Sequence, residues 1–178
     1  MLKLTLKNLM QVGGTILMLA AKSALGADDQ SDLYRANEFS LDGFGSASLG
    51  KYSLDHISGQ RIRENTRLGA GAGLDYFFTR YLGISADAYS ENITGTFIDS
   101  ASANLTIRLP LGNSGFAPYA FGGGGRQFDL AKLWFAQVGA GIEYRFSPNI
   151  GLFADGRWVL PDHTKYFGVA RLGMRYTF

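Results

Sequence analysis

The chain has 178 residues, 46% of them hydrophobic and 18% charged, with 24 glycines, four prolines and no cysteine. That suits one domain of ordinary size and excludes a disulfide framework, a thiolate metal site, a cysteine nucleophile and a lipidated cysteine. The glycines follow no G-X-Y period and are matched by 13 Phe, 9 Tyr and 2 Trp, which excludes collagen and disorder. Mean hydropathy is −0.01 and no apolar run reaches the roughly 18 residues of a spanning helix, leaving a soluble β-rich domain or a membrane β-barrel.

Lys3 and Lys7 precede the mostly apolar stretch Val12 to Ala21, and the small residues Ala24, Gly26 and Ala27 follow. This is the three-part layout of a secretory signal peptide, expected over residues 1–26, with the mature domain over 27–178. The formal net charge of +2 changes on cleavage, because removing Lys3, Lys7 and Lys22 leaves 14 basic against 15 acidic residues. A basic balance that would point to nucleic acid therefore leaves with the leader, and no nucleic-acid partner is expected.

After a polar segment from Asp28 to Glu38, stretches of about ten residues alternate in polarity with period two, the signature of a transmembrane barrel. The expected spans are 39–49, 67–78, 81–90, 100–109, 117–126, 134–146, 150–158 and 166–178. In the fourth, Ala101, Ala103, Leu105, Ile107 and Leu109 oppose Ser100, Ser102, Asn104, Thr106 and Arg108. The predicted fold is all-β, an eight-stranded antiparallel up-and-down transmembrane β-barrel.

With the apolar face outward, the charged residues fall inside: Asp42, Arg67, Asp75, Asp87, Arg108, Arg126, Glu143, Arg145, Asp155, Arg157, Arg171 and Arg175. A bilayer imposes this segregation, since a lipid-facing Arg or Lys at mid-bilayer costs about 2 to 4 kcal/mol. Depth along the strands pairs Asp42 with Arg175 and Asp155 with Arg171 in a lumenal charge network. Inward glycines are expected to make room for the long arginine side chains. Asp99 lies on the outward parity above the fourth span, and Pro118 falls near the start of the fifth.

Tight connections at Thr79-Arg80, Pro110 to Phe116 and Ser147-Pro148-Asn149 alternate with connections at 50–66, 91–99, 127–133 and 159–165. Both termini fall on the tight-turn side, which is expected to be periplasmic, with the other side at the cell exterior. Outward aromatics then gather into two girdles: Phe39, Tyr76, Phe78, Tyr119, Tyr144, Phe146, Tyr176 and Phe178 near the periplasmic ends, and Trp134, Trp158 and Tyr166 near the outer ends.

The final strand reads Arg171-Leu172-Gly173-Met174-Arg175-Tyr176-Thr177-Phe178. It resembles the C-terminal β-signal of bacterial outer-membrane barrels, and the resemblance implies that Arg171, Gly173, Tyr176 and Phe178 are read by the barrel-assembly machinery. Leader, eight spans and terminal motif together resemble the small eight-stranded outer-membrane proteins, the OmpA-type, OmpX-type and opacity-type porin-like superfamily. The chain departs from full-length OmpA in stopping at the last strand. Its mostly short outer loops depart from the opacity adhesins.

Gly69 to Gly73 and Gly122 to Arg126 lack the Gly-Lys-Ser/Thr ending and following helix of a phosphate loop. His56 and His163 both fall in outer loops, and His56-Ile57-Ser58 has the His-x-Ser spacing of lipid A deacylases, where the pair sits on a late strand. The sequons at Asn92 and Asn104 match the glycosylation pattern by chance in such a protein. The expected function is a non-enzymatic envelope barrel in outer-membrane lipid, structural or interaction-mediating, without cofactor or metal. A narrow pore for ions or small solutes is the alternative, and a lipid-modifying enzyme a more distant one. An eight-stranded lumen is about wide enough for side chains alone.

Overall fold

Alternation of small or polar residues with apolar ones drives strand formation throughout, because each pleated segment can bury one face inside a barrel and present the other to lipid. The computed structural model describes residues 33–50, 52–54, 61–63, 66–91, 98–128, 132–162 and 165–178, with backbone alone for 52–54 and 61–63. The expected leader, both histidines and the Asn92 sequon lie outside the described residues. The strands are β1 (Glu38–Leu49), β2 (Tyr52–Leu54), β3 (Arg61–Arg63), β4 (Thr66–Phe77), β5 (Leu82–Glu91), β6 (Ser100–Arg108), β7 (Phe116–Gln127), β8 (Trp134–Ser147), β9 (Ile150–Pro161) and β10 (Phe167–Thr177).

Eight of them form a closed barrel in the order β1-β10-β9-β8-β7-β6-β5-β4, every neighbour antiparallel. The spans read from the sequence coincide with these strands, although the seventh continues to Pro161. The small β2–β3 hairpin in the first long connection was not expected.

The tight turns define one end of the barrel. Between β4 and β5, Thr79 Oγ1 accepts the N–H groups of Tyr81 (3.1 Å) and Leu82 (2.9 Å). Between β6 and β7, Gly112 and Gly115 have φ of +53° and +76°, a left-handed backbone that side chains disfavour. Between β8 and β9, Ser147 Oγ accepts the Ile150 N–H at 3.2 Å. This is the turn end; β1 starts and β10 finishes here, and the longer connections lie at the opposite, loop end.

The fifth span is a correction. Tyr119 was expected outward and Arg126 inward, but Tyr119 is buried and Arg126 shares its face with its cross-strand partner Trp134, which is 63% exposed. The whole strand β7 is turned the other way. The cause lies across the ladder on β8, where Gly141 faces Tyr119 and Gly139 faces Phe121. A Cβ at Gly139 would come within 2.3 Å of the Phe121 ring, and one at Gly141 within 2.8 Å of the Tyr119 ring. Those glycines leave room for two inward rings.

The same pairing recurs around the barrel: Phe44 faces Gly71, Phe153 faces Gly173, Phe77 faces Gly83 and Phe135 faces Gly125. Inward glycine therefore accommodates aromatic rings as well as the expected arginines: Gly151 stands opposite both Arg145 and Arg175, and a Cβ there would come within 3.1 Å of Arg145 Cγ. Asp99, expected on the outward side, is buried and its Oδ2 accepts the Glu91 N–H at 2.5 Å.

Candidate functional site

Inward parity brings eleven of the twelve expected lumenal charges inside; Arg126 is the exception. Four of them meet in two direct cross-strand pairs. Asp42 of β1 stands opposite Arg175 of β10, and Asp155 of β9 opposite Arg171 of β10. Both contacts are bidentate: Arg175 Nε and Nη2 reach Asp42 Oδ1 and Oδ2 at 2.8 and 2.6 Å, and Arg171 Nε and Nη2 reach Asp155 Oδ1 and Oδ2 at 2.9 and 2.6 Å. The planar guanidinium fork matches the carboxylate in this geometry.

A first ionic chain crosses the turn-end half. Arg108 Nη2 lies 2.7 Å from Glu38 Oε2, Arg145 Nη1 2.9 Å from Glu38 Oε1, and Arg145 Nε 2.6 Å from Glu143 Oε1. The chain continues through Arg175 Nη1 to Glu143 Oε2 at 2.7 Å and ends on Asp42 and on Asp75 Oδ2, 2.8 Å from Arg175 Nη2. It links five strands that are distant in sequence.

A second chain lies towards the loop end. Asp155 binds Arg171, whose Nη1 is 3.3 Å from Asp87 Oδ2, and Arg157 Nη2 holds the same oxygen at 3.0 Å. Neutral groups complete it: Tyr119 Oη donates to Asp155 Oδ2 at 2.8 Å, Ser102 Oγ to Asp87 Oδ1 at 3.1 Å, and Gln137 Nε2 to Asn104 Oδ1 at 2.6 Å. Asn104, the second sequon, is thus a buried lumenal residue. Nearer the loop end, Arg67 Nη1 lies 3.9 Å from Glu91 Oε2, and Ser48 donates to Glu91.

Aromatic rings fill the gaps between these charges. Phe44, Tyr89, Tyr119, Phe121 and Phe153 form one buried cluster, and Arg171 lies 4.7 Å from the Phe44 ring centroid and 5.6 Å from that of Phe153. Such stacking supports a desolvated guanidinium.

Two residues that the sequence reading left outside the site close the turn end. Glu38 anchors both Arg108 and Arg145, and the Tyr34 ring is covered by those two guanidiniums at 4.7 and 4.3 Å. Tyr34 Oη donates to the Gly115 carbonyl at 2.7 Å, and Arg145 Nη1 donates to the Leu33 carbonyl at 2.5 Å. Burial holds the Tyr34 hydroxyl above the ordinary tyrosine range, so it remains a donor at neutral pH. Glu38 was legible, since it shares the parity of Asp42; Tyr34 lies in an irregular segment where no period points to it.

Between the two ionic chains lies a cavity of about 20 Å³ bordered by Asp42, Asp75, Asp87, Tyr119, Arg171 and Arg175. That is room for about one water. Three carboxylates converge on Arg175, which occupies the place a bound cation would take. Among the described residues no group of His, Cys, Asp or Glu is arranged to hold a metal ion. Chemically, the arrangement cross-links strands and fills space.

The four residues expected to form the assembly signal divide between the faces of β10. Arg171 and Gly173 point inward, where a Cβ on Gly173 would come within 2.7 Å of the Phe153 ring and 2.5 Å of the Gly43 carbonyl. Tyr176 and Phe178 are exposed on the outward side, their ring centroids 5.0 Å apart.

No family model matches the chain, and no curated protein sequence does. Solved structures do. The N-terminal β-barrel domain of OprF from Pseudomonas aeruginosa is similar over 81% of this chain and 99% of its own, with 18% identity and a TM-score of 0.62. The outer membrane protein OprG of the same organism is similar over 84% and 99%, with 15% identity and a TM-score of 0.58. A de novo designed transmembrane β-barrel is similar over 81% and 98%, with 15% identity and a TM-score of 0.55. A designed protein matching as well as natural ones shows that the likeness follows architecture, not task. The chain has the fold of the small eight-stranded outer-membrane β-barrels.

Proposed function

We propose that the protein is a non-enzymatic outer-membrane barrel with a structural or interaction-mediating role in the cell envelope. In this reading the turn end and both termini are periplasmic, the loop end faces the exterior, and residues 1–26 are an export leader. The filled lumen carries the reading. Conduction needs a continuous watery path, and the space between the two ionic chains holds about 20 Å³. The guanidiniums and carboxylates that could line a pore are instead spent on one another and on aromatic rings. The outward face supports membrane residence: Leu68, Trp134, Leu172 and Met174 are all exposed, as lipid contact requires and water disfavours.

Biogenesis would pass through the barrel-assembly machinery. Tyr176 and Phe178 are accessible to such a reader, whereas Arg171 and Gly173 serve the lumen as well. Conductance of the purified barrel in planar bilayers tests the proposal. The expected record shows no stable steps; large stable steps would overturn it in favour of a pore for ions or small solutes.

A further inference from the structure

Among the outward-facing residues of the described barrel strands, Arg126 alone carries a charge. A guanidinium on a lipid face is costly at mid-bilayer and nearly free of cost at the interface, and Arg126 stands at the loop end of β7, next to its last residue Gln127. Trp134 lies directly across the ladder, with its ring centroid 5.5 Å from the guanidinium carbon, and that of Phe128 lies at 5.9 Å. The Gln127 N–H donates to the Leu133 carbonyl at 2.8 Å. That bond carries the β7–β8 register beyond the strands and sets exposed Lys132 opposite Phe128 on the same face. Two basic and two aromatic residues thus share one patch at the rim.

The contrast with the lumen is what makes the patch informative. Arg108, Arg145, Arg157, Arg171 and Arg175 each have a carboxylate within 3.0 Å. Among the described residues no carboxylate lies within ion-pair distance of Arg126, and its Nε is buried without a hydrogen-bond partner. Asp162 sits on the far side of Trp134, its N–H donating to the Trp134 carbonyl at 2.9 Å. A fork of guanidinium donors held level with the interface by two rings is complementary to a phosphate oxygen pair.

We infer that Arg126, assisted by Lys132, binds the phosphate of an anionic membrane lipid at the loop-end interface, with Trp134 and Phe128 fixing the depth of the guanidinium. The inference rests on the membrane reading above. Its ligand is a phosphate group carried on a lipid with net negative charge; a zwitterionic headgroup, which adds its own cation beside the phosphate, fits less well.

The protein contains two tryptophans, so a Trp158→Phe background leaves Trp134 as the sole reporter beside the site. Fluorescence quenching is read in phosphatidylcholine vesicles with either brominated phosphatidic acid or brominated phosphatidylcholine. Trp134 should be quenched preferentially by phosphatidic acid, and Arg126→Gln should reduce that preference about fivefold, the worth of one interfacial charge. Arg80→Gln, at the turn end, should leave it unchanged. An equal preference in Arg126→Gln, or an equal loss in Arg80→Gln, would overturn the inference. Displacement by inorganic phosphate would reassign the site to the free anion and overturn the lipid assignment. Failure of the membrane reading would show separately, as no quenching by either lipid.

Discussion

At the turn end, Glu38, Arg108 and Arg145 close the lumen with charge around the Tyr34 ring, whereas at the loop end Phe135, Val159, Phe167 and Val169 pack one wall as an apolar cluster. The first kind of closure is directional. Arg108 and Arg145 share Glu38, and Arg145 also holds Glu143, so removing Glu38 leaves the Arg108 guanidinium buried without its carboxylate. The second kind is graded, because losing a methyl group forfeits contact and area alone. Charge therefore fixes which strands meet, and apolar packing fills what remains. The turn-end chain joins Glu38 of β1 to Arg145 of β8, residues that come together only when the barrel has closed.

Arg175→Ala should have the largest effect. It strips the guanidinium from Asp42 and Asp75 and leaves Glu143 with Arg145 alone, and by the usual cost of breaking a buried pair it should lose about 3 to 5 kcal/mol in urea unfolding from lipid vesicles. A loss below that of a surface substitution would dissolve the contrast between the two ends. Val159→Ala, in the apolar cluster, removes two methyl-sized groups and should cost about 2 kcal/mol in the same assay. Equal losses for the two variants would mean that charge and packing close the lumen alike. Tyr34→Phe keeps the ring between Arg108 and Arg145 but deletes the hydrogen bond to the Gly115 carbonyl; the expected loss is about 1 kcal/mol. A loss as large as that of Arg175→Ala would place the hydroxyl, not the guanidiniums, at the centre of the turn-end closure.

Strand positions and most parities were legible because one charge per strand suffices to orient a period-two segment. Asp42 fixes Phe44 as inward, Asp155 fixes Phe153, and Arg171 fixes Phe167 and Val169. Strand β7 had no such marker. Its residues Phe116 to Phe121 are apolar on both parities, Gly122 to Gly125 carry no polarity, and its one charge, Arg126, lies at the rim where lipid tolerates it. The deciding information sits on another strand, in Gly139 and Gly141, and becomes readable only once the β7–β8 register is known. Tyr34 was hidden for a different reason: it precedes the first strand, and its place comes from Arg108 and Arg145, far along the chain.

The most direct test of the account is a double-mutant cycle on Arg171 and Asp155, since its central claim is that lumenal charges are paired and shielded from water. Asp155 keeps Tyr119 when Arg171 is lost, and Arg171 keeps Asp87 when Asp155 is lost, so both single variants should retain a fold. Urea unfolding of Arg171→Met, Asp155→Asn and the double variant should give a coupling energy of about 1.5 to 3 kcal/mol. Additivity within about 0.5 kcal/mol would contradict the account, because it would mean that the two charges are screened by water in an open lumen.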